Sequence, residues 1–124
     1  MSKDDMETIQ ETIYEILRDI LDIEKKDIQL ETFLIRDLDA ESIDLLELAV
    51  SINQQFNITV NEDELFLRKL RLFLETDSLD NPEKILQEKY PFLTSERITQ
   101  ILEDLADGPV LKVKDIIHYV SYTR

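Results

Sequence analysis

Apolar residues return at three- and four-residue steps over the start of the chain: Met6, Ile9, Ile13, Ile16, Leu17, Ile20 and Leu21. The spacing predicts an amphipathic helix of about four or five turns, with Ser2 and Asp5 as a capping pair. From Asp22 to Glu41 the period is lost, and Ile23, Ile28, Leu30, Phe33, Leu34 and Leu38 stand as isolated anchors among mixed charges. That pattern predicts a long loop tied down at those side chains, a feature compact domains keep mainly for function. The helical period resumes through Ile43, Leu46, Ala49, Val50, Ile52 and Phe56, so Ser42 stands at the N-terminus of a second helix. Asn61 is placed to cap a short turn over Glu62, Asp63 and Glu64.

Beyond Leu65 the pattern is mixed over Phe66–Leu74 and breaks at the turn-forming run Asp77–Pro82. Helices are predicted at Glu83–Lys89, from Thr94 or Ser95 to Asp107 with a stop at Gly108-Pro109, and at about Lys112–Tyr122. Only Asn57-Ile-Thr-Val60 looks strand-like, and a lone strand has no partner. The reading is all-α, and 124 residues suit one domain spanning 1–124.

Composition removes several classes of function. A formal charge of −14 repels phosphate, so no nucleic-acid partner is expected and a basic partner is favoured. The field is uneven: residues 1–65 hold 18 acidic and five basic side chains, whereas residues 66–124 hold ten and nine. With no cysteine, thiolate chemistry, disulfides and sulfur-bound zinc are excluded. No apolar run approaches the roughly 18–20 residues of a membrane span, and a cytoplasmic monomer is expected. The single glycine, Gly108, cannot build a dinucleotide or P-loop cradle, which needs several. His118, the one histidine, reads as a surface or half-buried helical residue rather than a catalytic base. Asp37, Asp39 and Glu41 alternate like calcium ligands, yet Ser42 holds the position needing glycine and Leu48 the position needing a bidentate acid. No metal is expected.

The segment Phe33-Leu-Ile-Arg-Asp-Leu-Asp-Ala-Glu-Ser-Ile-Asp-Leu-Leu-Glu-Leu-Ala-Val50, continuing to Gln55-Phe56-Asn-Ile-Thr-Val60, resembles the centre of bacterial acyl carrier proteins. Their attachment motif Asp-Ser-Leu-Asp corresponds to Glu41-Ser42-Ile43-Asp44, a conservative departure on either side of the serine. Residues 1–65 resemble the family's first three helices, and Leu111–Val120 its last. The resemblance implies a four-helix bundle with one or two extra helices inserted between the third and last, the insertion covering about residues 66–110. It also implies a carrier rather than an enzyme, with 4'-phosphopantetheine from coenzyme A attached covalently to Ser42 and holding an acyl thioester. The work so implied is in fatty-acid, lipid or specialised-metabolite biosynthesis. The expected partners are a phosphopantetheinyl transferase and acyl-loading, acyl-transferring or condensing enzymes with basic docking patches.

Physical chemistry supports the arrangement, because a helix start exposes a serine hydroxyl and positions a phosphodiester at the positive end of the dipole. Glu41, Asp44 and Glu47 are expected to form an acidic dock for basic partners beside Ser42, the plain alternative being solvated charges at a helix N-terminus. By resemblance Ile43, Leu46 and Val50 border the acyl-chain pocket, and they are expected to pack in the core as well. Where relatives often carry further acids late in this helix, this chain has Asn53-Gln54-Gln55, which points to different partners. Asp77-Ser78-Leu79-Asp80 matches the tetrapeptide more closely, but Pro82 would interrupt a helix begun at Ser78, so Ser42 is the expected site.

In the extra segment, Arg68, Lys69 and Arg71 among apolar neighbours fit lipid or partner contact, or burial of the apolar face with snorkelling cations. The helix from Thr94 to Asp107 is expected to pack on the bundle and could widen its cavity for an unusual acyl chain. The rival reading is an unmodified acidic interaction module that keeps the carrier fold without the arm.

Overall fold

A computed structural model describes residues 3–76 and 81–124. Among the described residues seven α-helices follow one another: α1 (Lys3–Leu21), α2 (Ser42–Phe56), α3 (Glu62–Leu65), α4 (Leu70–Thr76), α5 (Pro82–Lys89), α6 (Ser95–Asp104) and α7 (Val113–Thr123). Among the described residues there is no β-strand, and Asn57–Val60 is irregular. The all-α expectation is met. Ser2 of the expected capping pair, and the tetrapeptide around Ser78, lie outside the described residues.

The period of α1 explains its burial: Ile9, Ile13, Ile16 and Leu17 are buried, and Met6, Ile20 and Leu21 pack around them. This stripe packs against both α2 and α7, while α3 packs on α7. Asp22, with φ 54°, turns the chain out of α1 in the left-handed conformation that Asp and Asn tolerate best. Asn57, also at φ 54°, ends α2 in the same way.

The Asp22–Glu41 loop is anchored by most of its apolar residues, with Ile28 and Leu34 buried and Ile23 and Leu38 packed on the core, whereas Leu30, expected as an anchor, is exposed. Its backbone is tied to the approach of α7. Leu34 N–H donates to Leu111 O at 3.1 Å, Val113 N–H to Thr32 O at 2.9 Å and Lys114 N–H to Leu30 O at 3.1 Å. Glu31 adds ion pairs to Lys112 (2.9 Å) and Lys114 (2.7 Å), whose hydrogen bonds hold its carboxyl down at about 2. The loop that delivers Ser42 is thus fixed to the far end of the chain before α2 begins.

The segment between α3 and α7 holds the two expected helices, α5 and α6, and a short further helix, α4. Asn81 Oδ1 caps α5 by accepting from Glu83 N–H at 2.8 Å, with Pro82 in the first turn, and Thr94 Oγ1 caps α6 by accepting from Arg97 N–H at 3.1 Å. The helices pack consecutively, α4 on α5 and α5 on α6. Phe66, Leu67 and Leu70 are buried while Arg68, Lys69 and Arg71 are exposed, the packed alternative for this segment.

A buried ion pair secures α6 to α7. Arg97 and Asp115 are 1% and 0% exposed and meet in a bidentate pair at 2.7 and 2.9 Å. Arg97 also donates to Val110 O at 2.6 Å, and Asp115 accepts from Lys112 N–H at 2.9 Å. Removing either partner would strand a buried charge. Arg97 shares a helical face with Ile98, Ile101 and Leu105, so a cation inside the apolar stripe was the signal for this pair.

Candidate functional site

Ser42 is the first residue of α2 and is exposed, with Glu41 as the N-cap in an extended conformation. Asp44 Oδ2 accepts the N–H of Glu41 at 2.8 Å, which fixes where the helix starts. Of the remaining first-turn N–H groups, that of Asp44 faces the Glu41 side chain in a reciprocal capping box, and those of Ser42 and Ile43 have no carbonyl of the same helix to bond. An anion esterified to the Ser42 hydroxyl would therefore meet free donors and the positive end of a helix 15 residues long. A phosphodiester fits this place.

Glu41 and Glu47 are exposed and Asp44 is half-buried, so α2 brings the three predicted acids together with Ser42 over its first two turns. The apolar expectation for the same helix needs correction. Ile43, Leu46 and Val50 are 56%, 48% and 48% exposed and do not pack in the core, which α2 enters through Leu48, Ala49 and Ile52. The reason is that α2 is apolar on nearly every side, Ile43, Leu45, Leu46, Leu48, Ala49, Val50 and Ile52 all being candidates, so periodicity alone does not choose the inward face. Leu46 and Val50 instead edge a shallow cleft of about 230 Å³ with Thr59, Val60 and Glu62.

A larger cavity, about 480 Å³, opens on another side of α2. Leu45, one turn beyond Ser42, and Ile35 of the preceding loop form one wall; Leu67, Leu70, Arg68 and Arg71 form another, closed by Leu111. Sequence reasoning missed Leu45. Its i+3 spacing from Ser42 was the available signal, obscured by the equally apolar Leu46 beside it.

The approach to Ser42 is held by Phe33, over whose ring the Arg36 guanidinium lies at 4.3 Å and Lys112 Nζ at 4.9 Å. Asp37 accepts the Phe33 N–H at 2.8 Å, so that member of the alternating acids has a local structural task. Among the described residues no group of three or more histidine or acidic side chains is arranged to hold a metal ion. No helix there is long and apolar enough to cross a membrane. His118 is half-buried in α7, and burial lowers its pKa below the usual 6.5, keeping the imidazole neutral at pH 7.

The family model described as "Phosphopantetheine attachment site" matches residues 11–72, which contain α2 and its approach. The acyl carrier protein of Coprothermobacter proteolyticus is 34% identical over 59 residues, covering 48% of this chain and 72% of the relative. That of Petrotoga mobilis is 28% identical over 89 residues, covering 72% and 92%. That of Trieres chinensis is 38% identical over 63 residues, covering 51% and 74%. No solved structure gives a significant match. An exposed serine opening an acidic, loop-anchored helix, inside a phosphopantetheine-attachment match over half of the chain, establishes that this chain belongs to the acyl carrier protein family.

Proposed function

We propose that Ser42 carries the 4'-phosphopantetheine and that the chain shuttles an acyl thioester among enzymes of fatty-acid, lipid or specialised-metabolite biosynthesis. Acyl carrier proteins are carriers rather than enzymes, and family membership implies the covalent arm. The observation that carries the assignment to Ser42 is its place as the exposed first residue of α2, inside the matched segment. When bound, the arm supplies the thiol that holds the acyl group. The chain's residues contribute position and charge: the first-turn N–H groups face the ester phosphate, and Asp44 holds the helix start.

Glu41, Asp44 and Glu47 serve as the dock for basic partners, with Ile43, Leu46 and Val50 as an apolar stripe among them. Exposure supports this pairing, since a solvated acidic rim around exposed apolar side chains is how transient interfaces combine steering with burial. Carrier proteins work with a phosphopantetheinyl transferase and with synthesis enzymes; for this chain the transferase, loading, transferring and condensing enzymes would bear basic patches. Residues 66–110 act as an insertion into a single carrier domain.

The test is the intact mass before and after incubation with coenzyme A and a promiscuous phosphopantetheinyl transferase. A gain of one phosphopantetheine in the wild type and none in Ser42→Ala supports the reading. Starting protein that is unmodified, and stays so where a known carrier is converted, would favour an unmodified interaction module.

A further inference from the structure

Carriers of this family hold the cargo's tail between their helices; we infer that in this chain the cavity beside α2 favours an acyl group whose far end carries a carboxylate, an inference that rests on attachment at Ser42. Three observations carry it: the cavity's place, its size and its charge. Leu45 and Ile35 put one apolar wall within a turn of Ser42, so a chain leaving the arm can enter from that side. A volume of about 480 Å³ falls within the roughly 300–1,000 Å³ of small-molecule sites. The lining also includes two exposed guanidinium-bearing residues, Arg68 and Arg71, and no acidic residue among the described ones.

That charge is anomalous in a chain with 28 acids and 14 bases. The Arg68 guanidinium has Glu62 at 3.8 Å, the outer limit of an ion pair, and lies over Phe66 at 5.3 Å. Arg71 donates through one nitrogen to Leu105 O and Gly108 O, both at 2.8 Å, and these are carbonyls rather than carboxylates. Arg36 reinforces the spot by donating to the same Gly108 O at 3.0 Å. Two guanidinium groups thus converge on one neutral oxygen, and among the described residues neither Arg36 nor Arg71 forms an ion pair with a carboxylate. A plain hydrocarbon tail would cover Arg68 and Arg71 without offering an acceptor, whereas a terminal carboxylate supplies a charge-assisted one.

The test loads the apo chain, through the transferase, from two coenzyme A thioesters of equal carbon number, octanoyl and the monothioester of octanedioic acid. The readout is the rate of thioester cleavage by hydroxylamine, each rate divided by that of the same acyl group on free coenzyme A. The dicarboxylic cargo should be protected roughly tenfold more than octanoyl, the effect of one charge-assisted bond. The difference should narrow at high salt and in Arg68→Gln, whose exposed side chain caps no helix end, and narrow further in Arg71→Gln. Leu105→Trp, which fills the cavity from the α6 side, should remove protection of both. Equal protection of the two cargoes, or a difference that survives both salt and Arg68→Gln, overturns the inference while leaving the carrier reading intact. Failure to load at Ser42 overturns the carrier reading, and this inference with it.

Discussion

Asp44 in α2 and Asp115 in α7 hold the same place in their helices, each accepting the N–H of the residue three before it, at 2.8 and 2.9 Å. Around Asp44 stand exposed Glu41, Ser42, Ile43 and Glu47. Around Asp115 stand the buried Arg97 guanidinium and the core. The same local device presents a surface in one helix and locks two helices together in the other. What differs is the neighbour supplied from far along the chain: a cation from α6 meets Asp115, and among the described residues no cation pairs with Asp44.

The strongest way to break this comparison is to delete both carboxylates in turn. Asp115→Ala leaves Arg97 buried without its partner and should cost about 3–5 kcal/mol of stability in urea unfolding. Asp44→Ala should cost about 1 kcal/mol, the worth of one exposed hydrogen bond. Equal losses would mean that the buried pair locks nothing.

Truncation within α2 sharpens the contrast between its two faces. Leu48→Ala should cost about 2–5 kcal/mol because it empties a core position, whereas Leu46→Ala, at 48% exposure, should stay within about 0.5 kcal/mol. Leu46→Ala should instead weaken partner transfer. Reversing charge with Asp44→Lys and Glu47→Lys should lower the transferase kcat/KM about tenfold or more at low salt, and added salt should shrink the deficit. Glu96→Lys, an equal reversal on the exposed start of α6, should have little effect.

The smallest effect concerns the tether between the loop and α7. Lys114 and Lys112 lower the Glu31 carboxyl from 4.5 to about 2. A depressed carboxylate contributes stability that is present in full above 4.5 and is lost as pH falls through about 2. The advantage of wild type over Glu31→Gln should therefore vanish across that window. At 60% side-chain exposure for Glu31 it should be at most about 1 kcal/mol at pH 7, read from urea midpoints.

Helix start and loop were legible where local chemistry decides them. Asn61 caps α3 and Thr94 caps α6 through their own side chains, and the Asp22–Glu41 anchors stand out because nothing periodic surrounds them. Legibility fails where tertiary packing chooses among equivalent options. In α2 the apolar residues surround the helix, so the inward choice of Leu48 over Leu46 comes from the position of α1. The break between α3 and α4 depends on Leu67 at φ 55°, a conformation that leucine rarely takes and that no propensity would assign to it. The buried pair of Arg97 and Asp115 spans 18 positions and becomes a contact only once α6 folds back on α7.

The candidate serine was legible for a different reason. Ser42 combines a helix start, an acidic flank and an anchored approach, all local features, whereas in the sequence Pro82 argues against a helix running on from Ser78. The central claim is tested most directly by mapping the modified residue in the wild-type chain by tandem mass spectrometry of its peptides after transferase treatment. Phosphopantetheine on the peptide containing Ser42, and none on the one containing Ser78, is the predicted result. Modification at Ser78, or at neither serine in a chain that a known carrier's conditions should convert, would contradict it.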